Sequence, residues 1–466
     1  MKTGFGISEY TIREGKISLL GQMHERITTE INDPIYATAM LIESNFVHTL
    51  WISVDALGLT PETSQECYEA AKSIIPDLKE EEFIISATHI HTGPSFESYN
   101  SLTATDIEPK DIIQSSKWRS RLANAVRKAT LQAKSTLEES YMEIAAARIQ
   151  TGVCRRVEYS DGRSIIYGKT SETNFLKMEG RDGGPTLLIY VYSSKGVLKA
   201  VVADVPCTAQ CDEMANYVSA DYWGVVRNIV KKDLGEAVTV FPLCRSAGDL
   251  SPHHIADRFP QKPVEGITGG RRKAMEIGER IAHEIVYCKE KTVKKYEGNV
   301  PHAQTMKEIV LPAHNITKEE YEWAKDFLKK YKTDESYIGD MSKYCTGNRR
   351  FNYLNSHYKI RKYEQGEREI KTRIYATLIG DMVFITNPFE LFIEYADRIR
   401  MALNKNIVFD IQLTYDRLGY LPTKRAAKGG SYSAFTFNCA CPVSVGEIIV
   451  KESIELVQSL TAEIDF

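Results

Sequence analysis

Four short polar clusters in this sequence combine residues that bind metals or attack carbonyl groups, and each follows an apolar, strand-like run. They occupy positions 88–94 (THIHTGP), 247–254 (AGDLSPHH), 389–390 (FE) and 419–432, which opens with GYLPT and closes with GGSY. Such groups are costly to remove from water unless they are paired or bind something. The four clusters are therefore the first candidates for a functional site.

The first two clusters contain the groups with the clearest chemistry. His89 and His91 share one face of a regular extended segment, but the Gly-Pro turn beyond them can splay the pair, so we expect only one to bind a metal directly; a hydrogen-bonded structural histidine is the alternative. Ser251 stands among Gly and Pro residues that suit a sharp turn, where backbone N–H groups could stabilise an oxyanion. An ordinary Asx or Ser turn would use the same residues.

The other two clusters are less specific on their own. Glu390 lies at a strand-to-helix junction, where a carboxylate is either a ligand or a helix cap. The glycines of the fourth cluster are not a P-loop, because no Gly-Lys-Ser/Thr follows at the required spacing. None of the four clusters decides the function alone.

The elements that must position these clusters alternate between strand-like runs and helical patterns, which predicts a mixed α/β (α+β) fold with mixed sheets and surrounding helices. Tyr36–Glu43 and Val47–Asp55 are predicted to form a hairpin. Phe83–Thr88 is the next strand and leads directly into His89, and Val238–Leu243 precedes the Ser251 cluster. Functional residues are thus expected just beyond strand ends.

Helix and turn signals complete this outline. Thr60 and Pro61 predict a helix start, and Thr317 followed by Glu320 is a capping-box pattern. Further hairpins are predicted at 194–196 and 380–381, with strands that end at 206–207 and 387–388. Two predicted helices carry apolar faces, which consist of Leu122, Ala125, Val126, Ala129 and Ala133 in one and of Ala274, Ile277, Ile281 and Ile285 in the other.

Bulk properties narrow the class of protein. The 466 residues are predicted to form one domain, with a charged, aromatic-rich segment at 335–372 as a possible lid or insertion. A net charge of −3 argues against a nucleic-acid partner. The first fifteen residues lack a signal peptide's apolar stretch, no window is long enough for a membrane span, and nine scattered cysteines fit a reducing compartment. These features predict a cytoplasmic protein that is not inserted in a membrane, with no indication of its oligomeric state.

Taken together and in this order, the clusters resemble the catalytic domain of the neutral/alkaline, non-lysosomal ceramidases, which carries a zinc ion and a serine near it. HxHTGP resembles the family's HxHSGP, GDLSP resembles GDVSP, and GYLPT resembles GYxxT, with a second tyrosine twelve positions further on. The opening stretch, with Gly4-Phe5-Gly6 and Asn32-Asp33-Pro34, is also similar. The resemblance covers nearly the whole chain.

Carried over residue by residue, the resemblance implies roles for seven positions. Ser251 would be the nucleophile. Three positions would bind Zn²⁺, which are His89, Glu390 and Tyr420. Three more would contact the substrate or the developing oxyanion, which are His91, Arg155 and Tyr432.

One ligand departs from the family pattern. Counting back from the segment 219–221 (SAD) places Cys207 where the second zinc-binding histidine should be. A thiolate binds zinc at about 2.3 Å, so a His/Cys/Glu/Tyr site is expected, and its extra negative charge should weaken the metal as a Lewis acid unless Arg155 compensates. In the alternative, Cys207 is a buried bystander and the metal site is lost. Thr208 takes the position only if the alignment shifts by one.

The function implied is zinc-dependent hydrolysis of an amide or ester in a soluble small molecule. Ceramide is not expected as substrate, because the chain ends at Phe466 without the family's immunoglobulin-like domain and shows no stretch suited to a bilayer surface. Either Ser251 attacks the zinc-polarised carbonyl, with Tyr432 and His91 stabilising the intermediate, or a metal-activated water attacks and Ser251 only orients it. Two other classes remain: a binding protein that has lost its chemistry, and a Cys207 nucleophile served by a histidine base.

Overall fold

The computed structural model describes residues 1–22, 26–44, 47–97, 111–255, 270–331 and 348–462. The strands, in chain order, are β1 (Lys2–Glu9), β2 (Ile17–Ser18), β3 (Ile27–Thr28), β4 (Tyr36–Ser44), β5 (Val47–Val54), β6 (Phe83–Ala87), β7 (Glu138–Ala147), β8 (Val153–Cys154), β9 (Arg156–Tyr159), β10 (Ser164–Ile166), β11 (Phe175–Met178), β12 (Thr186–Ser193), β13 (Leu198–Val205), β14 (Thr239–Cys244), β15 (Leu250–Ser251), β16 (Lys294–Tyr296), β17 (His302–Pro312), β18 (Glu369–Ile379), β19 (Met382–Thr386), β20 (Glu390–Leu391), β21 (Ile407–Ile411) and β22 (Tyr420–Leu421). The helices are α1 (Pro61–Lys72), α2 (Ser115–Ser135), α3 (Tyr222–Leu234), α4 (Gly270–Cys288), α5 (Lys318–Tyr331), α6 (Asn348–Gln365), α7 (Ile393–Ala402), α8 (Lys424–Gly429) and α9 (Val445–Ala462).

Two mixed sheets form the centre of the molecule. The larger has nine strands, in the order β14-β13-β12-β7-β1-β4-β5-β6, with β16 paired to β7 at its side. The smaller has the order β17-β18-β19-β21. Helices α1 to α4 cover the outer face of the large sheet and α7 and α9 cover that of the small one, so the layers run helix, sheet, sheet, helix.

The alternation of side chains explains why the central strands are apolar on both faces. In β5, Leu50, Ile52 and Val54 point into the core between the large sheet and its helices. Trp51 points the other way, into the core between the two sheets, where its ring lies 5.5 Å from that of Phe384 on β19. A strand buried on both faces carries a continuous apolar run, because successive residues serve different cores.

The structure confirms the predicted fold class and most of the predicted local elements. The hairpin β4–β5 has the predicted strands, and so do the hairpins around 194–196 and 380–381. Thr60 caps α1 by accepting a hydrogen bond from the Thr63 N–H. Thr317 and Glu320 exchange the two capping-box hydrogen bonds, of 3.0 and 3.2 Å. Among the described helices, none is both long and apolar enough to cross a bilayer.

The segment 335–372 differs from its irregular appearance in the sequence. Residues 335–347 lie outside the described part of the chain, but α6 and the start of β18 occupy the remainder. Apolar and charged residues are mixed around α6, because the helix covers a cavity rather than a continuous core. The sequence therefore lacks the stripe by which a surface helix is usually found.

The carboxyl ends of parallel strands from both sheets meet at one edge, and this brings the polar clusters together. The Ala87 N–H donates to the carbonyl of Leu413, and the Gln412 N–H donates to that of Cys244. The Asn387 N–H after β19 also donates to the carbonyl of Ile411, so the segments that follow β6, β14, β19 and β21 are joined. They include three of the four polar clusters, and the fourth follows closely after β21.

Candidate active site

His89 lies just past the end of β6, in a conformation that fixes which ring nitrogen is available. Its φ of +62° is unfavourable for a residue with a side chain. The Nδ1 atom lies 2.8 Å from the carbonyl oxygen of Leu57, which requires a hydrogen on Nδ1. The Nε2 atom is therefore the lone-pair nitrogen, and it lies 3.5 Å from Oε2 of Glu390.

His91 is held beside it by two contacts from the amino-terminal segment. The Arg26 guanidinium donates to the His91 carbonyl oxygen at 2.5 Å. Gly21 has a φ of +114°, and a Cβ there would lie 2.6 Å from Cγ of His91, so only glycine fits. The His91 Nε2 lies 3.2 Å from the His89 Nε2. Burial lowers the pKa of both imidazoles, and that of His91 most, so both rings are neutral at pH 7.

Glu390 and Tyr420 are adjacent because β20 and β22 pair in parallel with these two residues in register. The backbone of Gly248 comes so close that a Cβ there would lie 2.2 Å from the Glu390 carbonyl oxygen. The Tyr420 hydroxyl hydrogen-bonds the Glu390 side chain, and burial followed by this carboxylate raises the pKa of Tyr420 well above its usual value. In the metal-free site, Tyr420 is thus a neutral phenol.

Arg155 provides a buried positive charge beside these groups. The side chain is 4 % exposed, and its Nη2 donates to the carbonyl of Gly248 at 2.9 Å and to the Tyr420 hydroxyl at 3.1 Å. It also hydrogen-bonds Tyr167 and lies 5.9 Å from the centre of that ring. The guanidinium can therefore compensate negative charge that develops on either phenol oxygen.

Tyr432 completes the group as the first residue of a short 3-10 helix, Tyr432–Ala434. Its ring packs edge-on against Tyr420 with a centroid distance of 5.5 Å, and the two hydroxyls are hydrogen-bonded. Burial and then Glu390 raise the pKa of Tyr432, which keeps its hydroxyl protonated and able to donate.

Ser251 lies next to this group but is covered. Strand β15 pairs Ser251 with Val153 in β8, and Val153 stands two residues before Arg155. Its hydroxyl lies 2.8 Å from that of Tyr167 and accepts the His253 N–H at 3.1 Å. The residue is 0 % exposed and is not part of the cavity wall. Tyr167 itself has a φ of +53°, an unfavourable conformation that turns its ring toward Ser251.

A cavity of about 1000 Å³ opens onto the group. Part of its wall is formed by His89, His91, Glu390, Tyr420 and Tyr432, and another part by residues of α6. The described part of the segment 335–372 therefore shapes the cavity. Ionic side chains such as Arg361, Lys362 and Glu364 on α6 give that side a polar character.

Cys207, which the sequence predicts as a metal ligand, follows the end of β13. Its thiol faces the carbonyl of Thr208 at 3.4 Å, and the Cys207 carbonyl accepts the Tyr222 hydroxyl at 2.7 Å. Burial and the neighbouring Cys244 thiol raise the pKa of the Cys207 thiol well above its usual value, so the thiol is not an activated nucleophile. Among the residues that the structure describes, no group of three or more His, Cys, Asp or Glu side chains is arranged to hold a metal ion.

Two residues of the site gave no sequence signal. Tyr167, which covers Ser251, lies 84 positions away in the chain. Glu213, whose carboxylate lies 3.8 Å from Nδ1 of His91, stands in a segment with no recognisable motif. Both belong to the site only through the pairing of distant strands and loops.

Solved structures provide the comparison for this fold. Neutral ceramidase from Pseudomonas aeruginosa matches with a TM-score of 0.70 and 13 % sequence identity over 98 % of this chain and 74 % of that one. A ceramidase complexed with C2 matches with a TM-score of 0.69 and 12 % identity, over 98 % and 75 % of the two chains. No protein-family model matches the sequence, and neither does any of the curated proteins compared with it. At this identity the likeness shows the fold.

Proposed function

Because the chain has the fold of neutral ceramidase, we propose that it is a zinc-dependent hydrolase of the ceramidase type, which cleaves an amide or ester bond in a soluble small molecule. One observation carries the proposal. Polar clusters that are far apart in the sequence place His89, Glu390, Tyr420 and Tyr432 in the wall of one cavity, with Arg155 behind them. These are positions at which the sequence resembles that family.

The side chains fit a zinc ion by their chemistry. Histidine nitrogen and carboxylate or phenol oxygen are donors that zinc accepts. His89 lies within ion-pair distance of Glu390, and Tyr420 is hydrogen-bonded to it. The hydrogen bond from His89 to the Leu57 carbonyl leaves Nε2 available, as is usual for a metal-bound histidine. When bound, the ion would polarise the carbonyl of the substrate.

The remaining chemistry belongs to the protein. In the proposed reaction the Ser251 hydroxyl attacks the carbonyl carbon, the bond from that carbon to the leaving nitrogen or oxygen breaks, and the serine proton ends on the leaving group. The Tyr167 hydroxyl, 2.8 Å from that of Ser251, would orient the attacking oxygen. The covered position of Ser251 requires Tyr167 to turn aside when substrate enters. The protonated Tyr432 hydroxyl would bind the developing oxyanion. Arg155 would stabilise negative charge that develops on the Tyr420 oxygen, to which it donates a hydrogen bond.

The cavity also supports the expected substrate class. Its α6 side is formed by ionic as well as apolar groups, among them Arg361, Lys362 and Glu364. A polar or charged N-acyl compound can pair with such groups, whereas a long apolar substrate would desolvate them at a cost. N-acyl amines and N-acyl amino acids are therefore the first compounds to assay, followed by esters.

A cytoplasmic location is part of the same proposal. The eight cysteines in the described part of the chain are buried and free of disulfides. Free, buried thiols are typical of a reducing compartment.

The Ser251→Ala variant tests the proposal. We expect it to fold and to bind as much zinc as the wild type, while hydrolysis falls by several orders of magnitude, because the attacking group is absent. Ser246→Ala is the matched control, since Ser246 is equally buried and five residues away in the chain, and its hydroxyl accepts a hydrogen bond from the Asn387 side chain at 3.4 Å. Turnover, zinc content and melting temperature should be measured on all three proteins.

The outcomes separate the competing functions. Unchanged turnover in Ser251→Ala would remove Ser251 as the nucleophile. A zinc-free wild type that binds ligands without cleaving them would support a binding protein. Inactivation by iodoacetamide without any metal dependence would support the Cys207 nucleophile, which the buried, protonated thiol argues against.

A further inference from the structure

Hydrogen bonding alone does not make the contact between His89 and His91 favourable. Their Nε2 atoms face each other at 3.2 Å in a buried site. The Nδ1 hydrogen of His89 is committed to the Leu57 carbonyl, so the neutral His89 ring presents a lone pair at Nε2. The position of the His91 hydrogen then decides whether the contact is favourable.

Each tautomer of His91 leaves one unfavourable contact in the protein alone. With the hydrogen on Nε2, His91 donates to His89, but its Nδ1 lone pair then faces the carboxylate of Glu213 at 3.8 Å. With the hydrogen on Nδ1, that carboxylate is satisfied electrostatically, but two Nε2 lone pairs face each other. The Nδ1 atom of His91 has no hydrogen-bond partner within the described residues. A cation between the two Nε2 atoms removes the conflict.

The distances agree with one shared ion. Two nitrogens bound to a tetrahedral zinc ion at about 2.0–2.1 Å lie about 3.3 Å apart, close to the observed 3.2 Å. Leu57 and Glu213 would then serve as the acceptors that orient the two metal-bound imidazoles, an arrangement common around zinc. The thiol of Cys207, in contrast, is turned to the carbonyl of Thr208.

We propose that His91 replaces the missing second histidine as a zinc ligand, that Glu213 orients it, and that Cys207 does not bind the metal. Both histidines of the HxH segment then act on the same ion, together with Glu390 and Tyr420. In the described residues no three His, Cys, Asp or Glu side chains are already arranged to hold a metal ion. Binding of the ion would therefore require the side chains of His91 and Glu390 to move toward it. This proposal rests on the zinc-dependent function proposed above and assigns its ligands.

Cobalt substitution gives a test that does not depend on activity. Co²⁺ in place of zinc shows an intense near-ultraviolet charge-transfer band when a thiolate binds it, and nitrogen and oxygen ligands do not produce this band. We expect no such band in the wild type, and the same cobalt spectrum and zinc affinity in Cys207→Ser. His91→Ala should lose zinc, and Glu213→Gln should weaken its binding by about 10- to 100-fold.

Folding must be separated from ligation. His302→Ala is the matched control, because His302 is also buried and hydrogen-bonded, to Thr49 at 2.9 Å, but is not part of the cavity wall. It should keep its zinc even if its melting temperature falls.

The results separate the two proposals. A thiolate band, loss of zinc in Cys207→Ser, or full zinc affinity in His91→Ala would overturn the ligand assignment while leaving a zinc enzyme. A wild type that binds no zinc would overturn both. Equal zinc affinity in Glu213→Gln would remove Glu213 from the arrangement.

Discussion

Arg156 gives the sharpest test of how the site is held together, because the side chain binds the segment that carries Tyr432 without touching the cavity. It is 0 % exposed, and its Nε pairs with Glu179 at 2.9 Å. Its Nη1 donates to the Ser433 hydroxyl at 2.8 Å and its Nη2 to the Gly430 carbonyl at 2.9 Å. The Arg156→Met substitution should therefore lower the free energy of unfolding and loosen the segment that carries Tyr432.

The magnitude follows from the burial of the ion pair. Removing one partner of a buried pair leaves the other charge without compensation and costs about 3–5 kcal/mol. Glu179 is 6 % exposed, so it cannot regain its hydration without local unfolding. If the uncompensated charge is the main cause, Glu179→Gln added to Arg156→Met should recover at least about 1 kcal/mol, because a buried neutral amide costs less than a carboxylate.

Urea unfolding of the wild type, both single variants and the double variant provides the measurement. The double-mutant cycle should give a large coupling free energy between the two positions. Arg163→Met is the control, since Arg163 forms exposed ion pairs at the turn between β9 and β10, and a much smaller change is expected. Strictly additive losses in Arg156→Met and Glu179→Gln would refute this explanation. Turnover should fall in Arg156→Met while zinc content stays constant, because Tyr432 is not a metal ligand in the proposal.

Two further predictions concern the Ser251 segment. Tyr167→Phe removes the hydroxyl that contacts Ser251 and should lower turnover by about 10²-fold or more with little loss of stability; unchanged steady-state kinetics would show that Tyr167 only packs there. Burial raises the pKa of Asp249 to about 6, so between about pH 4 and pH 6 the folded protein retains a proton that the unfolded chain releases, and stability should fall as the pH rises through that window. Asp249→Asn can keep the hydrogen bond from the Ile393 N–H and should lose this part of the pH dependence, which urea unfolding at several pH values will show; an unchanged slope would contradict the assignment.

The parts of the fold that depend on neighbouring residues were accessible from the sequence. Thr60 caps α1 through a hydrogen bond to a residue three positions away, and the capping box at Thr317 is equally local. Hairpins are local as well, because the turn places the two strands side by side. Helix α6 was not recognised, since its apolar residues serve a cavity and follow no helical stripe.

The site could be predicted only as far as the motifs extend. His89 and Glu390 were found because each stands in a recognisable segment that follows a strand. Their separation of 3.5 Å depends on the meeting of two sheets, which no local pattern encodes. The contact of Tyr167 with Ser251 depends in addition on the pairing of β8 with β15 and on an unfavourable backbone angle.

Cys207 shows that a position in an alignment does not fix the direction of a side chain. The count from the segment 219–221 selects Cys207, which stands two residues after the end of β13. The direction of its side chain depends on the turn that follows, where the Cys207 N–H bonds the Val205 carbonyl and the thiol turns to Thr208. A histidine that reaches zinc from one position can be replaced by one that reaches it from another, provided that the second has an acceptor behind its far nitrogen. In the proposed site Glu213 is that acceptor for His91, so the loss of a ligand in the sequence need not mean the loss of the metal.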